Sequence, residues 1–331
     1  MADLQLSIAM QPNARSRAVL DGSLKPEGIE LQFTALHPSE IFWRQLRFQE
    51  FDVSEMSMSS LLITIANGNR DWVAFPVFTT RRFFHTGIWV RNDRGIEKPA
   101  DLKGKRVGVP EYQQTAALWG RGVLQHEFGV APTDIEWFME RTEEVSHGGA
   151  TGFRPPPGLK FNRIPANESI GSMLLDGRLD AALHYIVGNN VVDRSQANLA
   201  DQPEVRLLFA DPAAEGRRYF AKTGLFPINH AMVVRRSIAE RHPWVVLNLY
   251  NAFRTAKDRW LAQVSEAVQS HVQLGMLAPE AAAGLHADPF PYGVVANRRV
   301  LETIAAYSHE QGLTPRTLAL DSIFPANTLA L

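Results

Sequence analysis

The densest set of chemically useful groups in this chain lies where a strand gives way to a helix. The stretch VGVPEYQQTAALWGRGVLQHEFGV, residues 107–130, runs from a short apolar strand into an amphipathic helix, with Gln113, Gln114 and Thr115 at the junction. A helix start leaves backbone N–H groups without intrahelical partners and carries the positive end of the helix dipole, which suits an anion such as a carboxylate. The amides and the hydroxyl add directional hydrogen bonds, and Trp119 or Arg121, further along the helix, can extend the contact. Two blander readings stay open: Thr115 as a cap and Trp119 as core packing.

Arginines supply the second signal. NARSR places Arg15 and Arg17 just after the first strand, and TTRRFFHTG adds Arg81, Arg82 and His85 at the approach to another. A planar guanidinium matches a carboxylate in bidentate geometry, which lysine cannot reproduce. Surface arginine is the usual case, so at least one of these four is expected to be merely solvated, with Arg82 first for that role.

The elements that must position these groups alternate between strand and helix. LQLSIAM (4–10) and GIELQF (28–33) read as strands. SEIFWRQLRFQ (39–49) reads as a helix with Ser39 as its N-cap, and FDVSEMS as a strand opening into MSSLLITIANG. WVAFPVF and FHTGIWVR are β-rich runs suited to a sheet covered on both faces. DIEWFME (134–140) and VRLLF (205–209) add strands, and residues 169–185 give helix, turn and strand. SHGGATGFRPPPGLKF (146–161) reads as an irregular loop, and residues 242–264 as a long helix. Such alternation argues an α/β fold, because parallel strands need helical crossovers. The strand count suggests two α/β domains with a cleft between them, where small ligands usually sit.

Composition narrows the function classes. The chain has 331 residues, 45% of them apolar and 21% charged, with a formal net charge of -1. There is no basic field to gather nucleic acid or an anionic membrane, so the expected partner is a small molecule. No cysteine is present, which excludes disulfides, thiolate nucleophiles and cysteine-ligated metals. No export signal is legible at the N-terminus and no apolar run approaches the roughly 18 residues of a membrane span, so a cytoplasmic protein is expected. No GxGxxG follows a strand and no Walker lysine occurs.

The order of GIELQF, FDVSEMSMSSLL, KPADLKGKRVGV and LLDGRLDAAL resembles the type II periplasmic-binding-protein fold. Within that fold, LKPEGIEL, FDVSEMSMSSL, the 107–130 stretch, LFPINHAMVVRR, DPFPYGVVANR and EQGLTP look like the 4,5-dihydroxyphthalate decarboxylase family, over nearly the whole chain. The resemblance implies a discontinuous first domain (1–105 and 224–331), a second domain (106–223), mixed sheets and an interdomain cleft faced by the helix start after Pro110. It also implies release of carbon dioxide from a ring bearing two adjacent carboxylates and two hydroxyls. The family's equivalent of the NARSR stretch also has two arginines separated by one residue, whereas QPNA just before them departs from the family pattern.

An aryl carboxylate leaves most easily once its ipso carbon is protonated and a para hydroxyl ionises, so an acid, a base and a cationic grip are needed. Glu55, His85 and His230, all in stretches that carry the resemblance, are the catalytic candidates. Arg15, Arg17, Arg81, Gln114, Thr115, Trp119, Arg121, His184 and Tyr292 are the candidates for substrate contact. Catalysis without a cofactor is expected, with a divalent metal ion on a facial triad of Glu55, His85 and His230 as the alternative. The other functional class is a solute-binding protein that captures an aromatic acid without chemistry. Assembly as a homo-oligomer is left open.

Overall fold

The computed structural model describes residues 3–188 and 190–331, which build two α/β domains. The strands are β1 (Leu4–Met10), β2 (Ile29–Ala35), β3 (Val53–Ser57), β4 (Trp72–Arg81), β5 (Ile88–Arg91), β6 (Arg106–Val109), β7 (Glu136–Met139), β8 (Lys160–Arg163), β9 (Ala181–Leu183), β10 (Val205–Leu207) and β11 (Ile228–Arg235). One sheet has the order β2-β1-β3-β11-β4 and the other β10-β5-β9-β6-β7-β8. Each is mixed: β1 runs parallel to β2 and β3 while β11 is antiparallel to β3 and β4, and β5 is antiparallel to β9 and β10 among otherwise parallel strands.

The strands are covered on both faces, as their continuous apolar runs require. Leu6, Ile8 and Phe75 pack against Val246, Leu249 and Phe253 of the helix Val245–Gln273. On the opposite side, Ala9 meets Ile41 and Phe42 of the helix Pro38–Phe48. A further cluster joins the helix Met58–Ala66 of the first domain to the helix Thr115–Phe128 of the second, so the two domains share core. Gly122 lies there with so little room that an added Cβ would sit 2.2 Å from the Tyr307 ring.

Several sequence expectations need correction. Strand β5 belongs to the second sheet, so the chain crosses between domains after Arg81, well before position 105; it returns between β10 and β11. The FHTG half of FHTGIWVR is a 3-10 turn, Phe84–Gly87, rather than strand. The helix expected at 39–49 begins at Pro38 with His37 as its N-cap: His37 Nδ1 accepts from Ser39 N at 3.3 Å, and proline occupies the first turn, where its missing N–H costs nothing. Within 146–161, a short helix, His147–Thr151, and the start of β8 replace the expected irregular loop. The reason is tertiary. The Glu111 carboxylate accepts from His147 N and Gly148 N, and Ser146 Oγ also accepts from Gly148 N, which holds a glycine-rich segment in helical form.

Candidate active site

A cavity of about 860 Å³ opens between the domains, and both contribute to its walls. Among the described residues no aspartate or glutamate lines it. Its polar lining includes four imidazoles, His37, His147, His184 and His230, and three arginines, Arg81, Arg82 and Arg141. Phe42, Phe83, Phe84 and Phe226 supply flat apolar surface. A mostly apolar slot with a few convergent polar groups is the usual form of a small-molecule site, and this one suits a planar anion.

His230 lies in the middle of one wall. Register puts it beside Ser57 on β3 and beside Thr80 on β4. Its ring stands edge-on to Phe42 at a centroid distance of 4.7 Å. Asn229 Nδ2 donates to Nε2 at 2.8 Å, which leaves the neutral ring's proton on Nδ1. Nδ1 is 3.9 Å from Glu55 Oε1, and Glu55 is buried behind it with Oε2 accepting from Gln11 N at 3.0 Å. Carboxylate, imidazole and cavity thus form a row.

Two helix starts, one from each domain, converge beside this row. Ser57 caps the helix Met58–Ala66 by accepting from Ser60 N. Thr115, the first residue of the helix Thr115–Phe128, lies 2.8 Å from Ser57 Oγ through its own hydroxyl and accepts from Ser59 N at 2.9 Å. Thr115 therefore ties the two starts together and does not cap its own helix. Gln114 lines the cavity with only 7% of its surface exposed, and its Nε2 has no partner among the described residues. A buried amide donor left unmade is costly, so this group calls for an acceptor that a ligand would bring.

An ionic cluster that the sequence did not reveal reaches the cavity through Arg141 and His147. Arg141 pairs with Asp193 at 2.7 Å and Glu111 at 3.1 Å, and its Nη2 donates to Ser39 Oγ at 2.7 Å across the domain boundary. Burial alone would raise the Glu111 carboxyl, but His147 and Arg141 outweigh it and hold it well below the carboxylate range, at about 2. Burial likewise opposes the Arg141 charge, and Asp193 and Glu111 overcome that, raising its proton affinity. Here burial wins at the two nearest imidazoles: His147 and His37 are both pushed below the ordinary imidazole value.

His184 sits at the end of β9 with φ +57°, a left-handed conformation that costs a non-glycine residue on the order of 1–3 kcal/mol and recurs at functional sites. Its ring stands edge-on to Phe84, and burial followed by the Arg82 charge lowers its pKa to about 3.

Of the residues singled out in the sequence, His230, His184, Gln114 and Thr115 meet at this cavity, with Glu55 directly behind. Others do not. His85 is fully buried with Nε2 on Glu215 at 3.0 Å and is not part of the wall, so the triad of Glu55, His85 and His230 is not assembled; among the described residues no three His, Asp or Glu side chains converge as a metal site. Arg15 donates to Thr79 O at 2.6 Å and lies over the Phe290 ring, and Arg17 is exposed; neither lines the cavity. Arg81 touches the cavity, but its guanidinium is bonded to Phe226 O, Pro291 O and Asn297 Oδ1, and burial lowers its pKa to about 10. Trp119 is core, with Nε1 donating to Ile228 O at 2.9 Å. Arg121 is buried over the Tyr112 ring and bonded to Gln311 and Tyr112 O. Tyr292 is buried beneath Lys257 outside the cavity, and burial raises its phenol to about 12. Arg82 is exposed, as expected, and also lines the cavity.

Sequence reasoning missed His37, Asn229, Arg141 and His147. A histidine before Pro38 at a helix start, and the asparagine beside His230, were the signals available. Arg141 and His147 carried none, because their partners are distant in the chain.

Comparison with known proteins agrees with this architecture. Residues 54–148 match the model of the NMT1/THI5 like family. The periplasmic aliphatic sulphonate binding protein SsuA from Escherichia coli superposes with a TM-score of 0.57 at 15% identity, covering 100% of both chains, which shows the fold. A 4,5-dihydroxyphthalate decarboxylase from Pseudomonas putida is 37% identical over 212 residues, 64% of this chain and 80% of its own. Another, from Comamonas testosteroni, is 35% identical over 330 residues, 98% of this chain and 97% of its own. With 35% identity over 98% of its length, this chain belongs to the 4,5-dihydroxyphthalate decarboxylase family.

Proposed function

We propose that the protein is an aromatic carboxy-lyase that converts 4,5-dihydroxyphthalate to protocatechuate and carbon dioxide by protonating the ring carbon that bears the departing carboxylate. One observation carries the reading: a cavity free of carboxylate side chains among the described residues, with two helix starts on one side and a histidine backed by a buried glutamate at its centre. The family relation supports the same substrate.

In this reading the retained carboxylate sits at the helix starts, where Gln114 Nε2 and free N–H groups receive it. Flat aromatic walls hold the ring. For this step the His230 ring is the imidazolium, with Glu55 behind Nδ1 and the Asn229 amide turned to present Oδ1, and Nε2 delivers its proton to the ipso carbon. The hydroxyl para to that carbon ionises with its proton passing to solvent, because burial and the Arg82 charge make His184 too weak a base to take it. The C–C bond to the carboxylate then breaks, its electron pair restores the aromatic ring, neutral carbon dioxide leaves, and the phenolate regains a proton. One proton is consumed for each carbon dioxide released. A strong cation on the departing carboxylate would oppose this step by stabilising the ground state.

The test is to incubate purified protein with 4,5-dihydroxyphthalate and follow gas and protocatechuate together. Equal amounts of the two products support the reading. Tight binding with no gas supports solute capture instead. A parallel run with chelator is expected to keep its rate, and a lost rate would point to a divalent ion.

A further inference from the structure

The reaction proposed above builds negative charge on the phenol oxygen para to the departing carboxylate, and something must stabilise it. Three arginines line the cavity. Arg81 is bonded to Phe226 O, Pro291 O and Asn297, and Arg141 to Asp193 and Glu111. Arg82 differs: among the described residues its guanidinium has neither a hydrogen-bond nor an ion-pair partner, although it is exposed on the cavity wall. Its backbone N donates to Pro227 O at 3.3 Å, which fixes where the side chain leaves the end of β4. Arg82 and His184 both line the cavity, and after burial the Arg82 charge is the largest influence lowering the His184 pKa.

Register gives the cavity its direction. Ser57, His230 and Thr80 are neighbours on β3, β11 and β4, with strands about 4.8 Å apart. Ser57 and the helix starts therefore lie on one side of His230, while Arg82, two residues beyond Thr80, lies on the other. A ring with two adjacent carboxylates and two adjacent hydroxyls has the same polarity, one anionic edge and one catechol edge. With the carboxylates at the helix starts, the catechol edge meets Arg82 and His184. The reverse placement would put a permanent cation on the leaving group, which opposes its release as neutral gas.

We propose that Arg82 is a catalytic residue that stabilises the phenolate formed when the ring hydroxyl para to the departing carboxylate ionises, and is not a carboxylate grip. The assignment rests on the decarboxylase reading. The other charged or titratable groups facing the same space are His37, His147, His184, His230, Tyr185, Arg81 and Arg141.

Three measurements on the full chain test it with Arg82→Gln and Arg82→Lys. With 4,5-dihydroxyphthalate, R82Q is expected to lower kcat by roughly 100-fold with KM within about threefold, and R82K to recover part of the rate. Affinity for phthalate, which lacks the hydroxyls, is expected to be unchanged. Bound protocatechuate, followed by its phenolate absorbance, is expected to ionise at lower pH on the wild type than on R82Q. An equal loss of phthalate and dihydroxyphthalate binding would make Arg82 a carboxylate grip and overturn the assignment, as would an unchanged kcat. If the wild type evolves no gas, the decarboxylase reading fails by itself, and the absorbance titration still decides whether Arg82 meets a catechol oxygen.

Discussion

Nδ1 of His230 stands 3.9 Å from Oε1 of Glu55, and the carboxylate lies on the buried side of the imidazole. The two residues come from neighbouring antiparallel strands, β11 and β3, in the middle of a five-stranded sheet. A rigid central position of this kind aims a side chain better than a loop does.

Removing either member is expected to disable turnover without unfolding the protein. His230→Ala and Glu55→Gln should each lower kcat by about 10²–10⁴, the usual range for a proton-transfer group. Carbon dioxide release and a thermal melt on the same samples check this. Full activity in H230A would remove the ring from the mechanism.

Gln114 is expected to act in binding. Replacing its unpartnered, buried amide by alanine should raise KM roughly tenfold, the loss of one hydrogen bond to a charged group, with a smaller change in kcat. Saturation curves for wild type and Q114A give the split directly. An unmoved KM would place the carboxylate elsewhere in the cavity.

The buried cluster should appear as a stability effect. Arg141→Ala leaves Glu111 and Asp193 without their cation and is expected to cost about 3–5 kcal/mol in urea unfolding. The sign with pH follows from Glu111, whose carboxyl is depressed from the usual 4.5 to about 2. The unfolded chain takes up that proton first, so the contribution is complete above about pH 4.5 and fades as pH falls toward about 2. Glu111→Gln should flatten this acid limb, read from melting temperature against pH.

His85 should matter to the fold alone. Its ring is fully enclosed, its Nε2 is bonded to Glu215, and it does not line the cavity. His85→Gln is expected to keep kcat within about twofold while costing on the order of 1–3 kcal/mol, the penalty for disturbing a buried polar pair. A melt and a rate measurement separate the two. A large fall in kcat with an unchanged melting temperature would return His85 to the chemistry.

The sequence alone determined the local and periodic features. Alternating apolar residues in LQLSIAM give β1, with Leu6, Ile8 and Met10 in one core cluster. The polar junction before the helix Thr115–Phe128 marked Gln114, and FPINH marked His230; both stand on the cavity wall. These succeed because a strand period, a helix start or a long shared stretch is written in consecutive residues.

Tertiary structure alone decided which charged side chains reach the cavity. Arg15, Arg81 and Arg121 are as arginine-like in sequence as Arg82, yet distant groups engage the first three: Thr79 O and the Phe290 ring for Arg15, Pro291 O for Arg81 and Gln311 for Arg121. Arg82 is left facing the cavity because β4 ends just before it. Glu111 ordering the glycine-rich helix at His147–Thr151, and Thr115 joining two helix starts, are decided in the same way. A side chain's identity fixes what it can bond to, but its partner is set by packing between residues that only the folded chain brings together.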